Sequence, residues 1–151
     1  MKRKHLAALA VAGAAAVGLG IHSAGATTLP MSGTFRTVAT RSSFPGSWNL
    51  TGTLTVSNLS APFGSNPPFT APITVTCNLE TREAGSLTWT PVDTDHVFIA
   101  GGLQSGQDVI DLEANVEATS RFNVRVSCNS AGFPSSEPTV VGGAAIAIAP
   151  N

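Results

Sequence analysis

The sequence predicts an all-β protein, an antiparallel sandwich of about seven to nine short strands. Three observations carry that expectation. Apolar and polar residues alternate with period two over residues 48–57, 73–79, 110–118 and 122–128, the pattern of strands with one face buried. Glycine (15) and proline (10) fall largely between those runs and punctuate them as turns. The chain is rich in Thr, Ser and Val, poor in long helix formers and has no Tyr, which suits strands and turns.

The first 26 residues read as a secretory signal peptide. Lys2, Arg3 and Lys4 form a basic start, an alanine-rich apolar run follows over 6–21, and Ala24-Gly25-Ala26 is a small-x-small cleavage signature. The run is shorter than the roughly 20 apolar residues of a spanning helix and is thinned by Gly13, Gly18 and Gly20. Cleavage after Ala26 leaves a single domain over 27–151 and an extracellular location. It also removes every lysine, leaving five arginines against nine acids, a net charge of −4. No basic stripe remains, so neither nucleic acid nor an anionic membrane surface is an expected partner.

In chain order, residues 27–33 read as an arm and 35–40 as a first strand. Residues 43–47 (Ser-Phe-Pro-Gly-Ser) read as a turn. In 48–57, Trp48, Leu50, Leu54 and Val56 share the buried face. Residues 61–72 are a proline-rich loop carrying Phe63 and Phe69, either tucked beneath it or presented to a partner. Ile73, Val75, Cys77 and Leu79 share the next inward face. After a turn at Gly85, Leu87 and Trp89 are expected on one face of a strand, and 92–95 (Val-Asp-Thr-Asp) as a turn into 96–100. Ile110, Leu112, Ala114, Val116 and Ala118 point inward, and Phe122, Val124, Val126 and Cys128 do the same after a short loop at 119–121. That reading makes 110–128 a hairpin, with Glu113 and Glu117 in diagonal reach of Arg125. Val140-Val141, a Gly142-Gly143 break and 144–149 form the last strand, too short to cross a membrane as a helix.

Cys77 and Cys128 are the only cysteines, so a disulfide within the molecule joins these two; the alternative is a pair of buried thiols. With Trp89 between them, 12 residues after the first and 39 before the second, they resemble the cysteine–tryptophan–cysteine core of immunoglobulin-like domains. The resemblance implies an immunoglobulin-like sandwich in which one inter-sheet disulfide joins Cys77 to Cys128 and Trp89 packs between the sheets. It covers the middle of the chain, and the family's tyrosine two residues before the second cysteine is replaced by Val126. The competing architecture is a ligand-binding barrel, since Gly46-Ser47-Trp48 resembles the Gly-x-Trp opening of lipocalins.

No catalytic motif stands out. His96 is the one histidine after residue 26, and Asp93 and Asp95 beside it read as turn residues rather than as a metal or general-base site. There is no nucleophile elbow, phosphate loop or EF-hand pattern, and no cofactor or metal is expected. The expected function is that of a secreted, non-enzymatic module binding a protein or a cell-surface polymer, with Phe44, Trp48, Phe63 and Phe69 as candidate contacts. The alternatives are a carrier of a small apolar ligand, with a cavity lined by Trp48, Leu50 and Leu54, and a protease inhibitor presenting loop 61–72.

Overall fold

Period-two alternation leaves each strand with one apolar face, and two sheets are needed to bury them against each other. A computed structural model shows this arrangement; it describes residues 22–23, 27–29, 33–58, 72–100, 106–132 and 139–151. Two short strands, β1 (His22–Ser23) and β2 (Thr27–Leu29), precede seven long ones. These are β3 (Arg36–Ser43), β4 (Gly46–Asn58), β5 (Ile73–Glu83), β6 (Thr90–Ile99), β7 (Gln107–Ala118), β8 (Phe122–Gly132) and β9 (Thr139–Pro150). One sheet has the order β1-β9-β4-β7, with β2 also on β9; the other has the order β3-β8-β5-β6, and every pairing is antiparallel.

The alternation places the core as expected. Leu50, Leu54, Val56, Ile110 and Ile146 come from the first sheet, and Ile73, Val75, Leu79, Phe122, Val124 and Val126 from the second. Gly52 takes the inward position between Leu50 and Leu54, close against the opposite sheet. A Cβ there would lie 3.0 Å from Val126 Cγ2. Between Val141 and Ala144 the expected break is a β-bulge inside one continuous strand. The register skips between Thr53 and Thr55, and Gly143 takes a φ of 62°.

The antiparallel sandwich agrees with the sequence; the details implied by the immunoglobulin resemblance differ. Apart from the β5–β6 hairpin, consecutive long strands alternate between the two sheets, which is jelly-roll connectivity rather than the immunoglobulin order. The Cys77–Cys128 disulfide forms, but within one sheet. The two residues are direct cross-strand partners on β5 and β8, with Cα atoms 4.1 Å apart. Residues 110–128 are likewise not a hairpin: β7 and β8 lie in opposite sheets and face one core from two sides. Arg125 therefore meets Glu80 on β5, not Glu113 or Glu117. The 92–95 stretch is no turn either, because β6 continues through it, paired to β5 with a register shift at Val92.

Side chains from the edge strands join the two sheets. On one side Asp93 of β6 accepts the Glu113 N–H of β7 at 2.8 Å; on the other, Arg41 of β3 donates to the Ile146 carbonyl at 3.1 Å. Asp93, Asp95 and Asp108 also each accept the N–H of the next residue, occupying donors on the edge strands β6 and β7.

Candidate functional site

On β5 the even-numbered residues face away from the core, so Asn78, Glu80 and Arg82 line the outer face of the four-stranded sheet. The β8 register sets Ser127, Arg125 and Asn123 directly beside them. Strand β3 adds Ser42 beside Asn123 and Thr40 beside Arg125; β6 adds Thr94 beside Asn78 and His96 beside Thr76. The result is a polar face, about 20 Å long from Asn123 to Asn129 at strand rise. Its side chains bond to one another. Thr94 Oγ1 donates to Asn78 Oδ1 at 2.9 Å, and Ser42 Oγ donates to Asn123 Oδ1 at 2.6 Å.

The densest part is one corner. Glu80 is buried although it lies on an outer face. Its Oε2 accepts from Arg125 Nε at 2.5 Å and from Ser127 Oγ at 2.7 Å. Trp89 is the cover. The chain leaves β5 at the Ala84–Gly85 turn, and residues 86–89 are outside any strand, so Trp89 folds back onto the face. The Arg82 and Arg125 guanidinium carbons lie 4.5 and 4.3 Å from its ring centre. The expectation of Trp89 between the sheets is thus corrected: it lies half-buried outside, held by cation–π contacts. Leu87 is not on a strand face either; it is 92% exposed.

Beside this corner, at the end of the sandwich, a cleft of about 310 Å³ is lined by Ser42, Ser43, Phe44, Ala84, Arg121, Phe122 and Asn123. Phe44 is 60% exposed, with the Arg121 guanidinium carbon 4.6 Å from its ring centre. Asn123 belongs to both cleft and face, so the two are continuous. Trp48 does not line the cleft. It packs half-buried against the core, and its indole N–H donates to the Phe44 carbonyl at 3.0 Å, stapling the β3–β4 turn. Phe63, Phe69 and the proposed inhibitory loop lie outside the described residues. Leu50 and Leu54, expected to line a carrier's cavity, are packed in the core and do not line this cleft.

His96 is exposed on the outer face of β6, and its backbone N–H is held by Asp95. Among the described residues no three of His, Cys, Asp and Glu come together to hold a metal ion. No described helix is long and apolar enough to cross a membrane.

No protein-family model matches the chain, and comparison with curated protein sequences finds no match. Solved structures align with it at low sequence identity. A structure of infectious bursal disease virus, Gx strain, aligns over 85% of this chain and 32% of its own, at 8% identity and a TM-score of 0.51. The present chain therefore spans about a third of that one, and the likeness is one of fold. The CBM22-1 xylan-binding domain of Paenibacillus barcinonensis Xyn10C aligns over 88% of this chain and 95% of its own, with 12% identity and a TM-score of 0.43. TmCBM61, solved with β-1,4-galactotriose, aligns over 74% and 61%, with 10% identity and a TM-score of 0.33.

Proposed function

We propose that this protein is a secreted, non-catalytic binding module that holds an extended cell-surface polysaccharide along the outer face of the β3-β8-β5-β6 sheet. One observation carries the reading: a continuous polar face with a half-buried tryptophan clamped by two arginines at one end and a 63% exposed Phe98 on β6 at the other. Pyranose rings offer apolar C–H faces that stack on aromatic rings and hydroxyl edges that bond to planar amide, guanidinium and carboxylate groups. Such a face supplies both, on rigid strands, over the length of several sugars. The face is built from side chains that bond to one another and so are held in place before a ligand arrives.

Export agrees with the leader over 1–26 and with the disulfide, which persists in an oxidising compartment. Cleavage after Ala26 would leave β2, with its buried Leu29, on β9.

The test is co-sedimentation with insoluble polysaccharides and purified cell walls. Trp89→Ala should weaken binding by about 30-fold, the size of a lost aromatic anchor. It should cost about 1–2 kcal/mol of stability through the two cation–π contacts. Phe98→Ala, at the far end, should weaken binding without moving Tm. Unchanged binding in both variants refutes the assignment of this face.

A further inference from the structure

Resting on that reading, we propose that the corner selects an acidic polysaccharide, one whose carboxylate enters the cleft between Arg121 and Asn123, beside Arg82. The charges are segregated. Residues 27–151 carry a net charge of −4, yet three of their five arginines stand at this corner. Asp111, Glu113 and Glu117 lie on the outer side of β7, in the opposite sheet. Arg125 is neutralised by Glu80, but among the described residues neither Arg82 nor Arg121 has a carboxylate partner. Glu83, at the end of β5, makes no ion pair with either.

The unpaired guanidinium groups are also held in place. Each lies against an aromatic ring, Arg121 on Phe44 and Arg82 on Trp89, and a planar guanidinium is suited to take a carboxylate bidentately. Stacking holds the side chains before a ligand arrives, which lowers the ordering cost of binding. Arg82 Nε is buried with no hydrogen-bond partner among the described residues. Asn123 completes the set. It lines the cleft, and its Oδ1 is already taken by Ser42, which leaves the Nδ2 donors as its free hydrogen-bonding group. Arg121 and the Asn123 amide line the cleft with no carboxylate among its lining residues, which suits an anion better than a neutral hydroxyl. Acids elsewhere on the surface repel a polyanion, so attraction is confined to this corner and sets the polymer's direction on the face.

The test is affinity electrophoresis of the secreted protein in polygalacturonate, alginate and hyaluronate, each against its own carboxyl-esterified form. At least one acid form should retard the protein more than its ester. Arg121→Gln should weaken that binding about ten- to a hundredfold, the size of one lost charge-assisted hydrogen bond, with only a small fall in Tm from the lost contact to Phe44, because Arg121 is exposed. Added salt should weaken the parent protein more than the variant. If acid and ester bind equally and Arg121→Gln has no effect, the carboxylate selectivity is wrong while the polysaccharide reading survives. If none of these polymers nor any neutral insoluble polysaccharide is bound, both are wrong.

Discussion

Replacing Gly52 by alanine tests how closely the two sheets meet. Gly52 sits mid-strand on β4, facing inward, and a methyl group there would approach Val126 Cγ2 to 3.0 Å and Leu112 Cβ to 3.6 Å. Carbon atoms rest at about 3.5–4.0 Å, so the first contact is short by roughly half an ångström. Val126 belongs to the opposite sheet, is fully buried and has nowhere to retreat without moving β8. Overpacking of this kind costs about 1–3 kcal/mol, while the reduced freedom of the unfolded chain on Gly→Ala returns about 0.4–1. The expected net loss is about 1–2 kcal/mol. Val126→Ala alone removes buried methyls and should cost roughly 2 kcal/mol. In the double variant the new methyl fills part of that space, so the loss should fall short of the sum by about 1 kcal/mol or more. Urea unfolding of the disulfide-intact proteins reads all four corners of the cycle. A neutral Gly52→Ala, or additivity within about 0.3 kcal/mol, would show that the sheets do not meet at this point.

Two further outcomes follow from the four-stranded sheet. The disulfide closes a loop of 51 residues, so Cys77→Ala/Cys128→Ala should lose about 4 kcal/mol through unfolded-chain entropy, seen as a lower urea midpoint than the oxidised parent. A loss under about 1 kcal/mol would mean that the β5–β8 ladder constrains the unfolded chain already. Glu80→Ala strips the shared acceptor from Arg125 and Ser127 and should cost about 1–3 kcal/mol, with Glu80→Gln recovering part because its amide oxygen still accepts. Equal loss in both variants would show that the charge, not the hydrogen bonds, holds the corner.

Period-two alternation was enough to read the inward sets of β4, β5, β7 and β8, because parity alone decides which side of a strand is buried. It does not say which sheet a strand joins. Residues 110–118 and 122–128 look like one hairpin in parity, yet belong to opposite sheets. Register shifts hide more. The slip between Leu79 and Glu80 allows β6 to pass through Pro91 and the two aspartates, where local turn chemistry argued for a bend and the ladder with β5 won. At the site, Phe44 was visible as an aromatic flanking a Pro-Gly turn. The partners that matter most, Glu80, Arg82, Trp89, Arg121 and Arg125, lie up to 45 residues apart, and only the antiparallel register of β5 and β8 brings them together. The one signal in the sequence was the outward parity of Arg125, which placed a cation on a strand surface but could not supply its neighbour.

The position of β9 has a consequence for how the protein acquires its shape. That strand lies inside its sheet, between the N-terminal strands and β4, so β4 keeps a bare backbone edge until residues 139–150 are present. Pairings this distant in sequence close slowly, on the order of milliseconds to seconds. A chain that meets solvent from its N-terminal side would stay open until residues 139–150 had emerged to fill the gap beside β4.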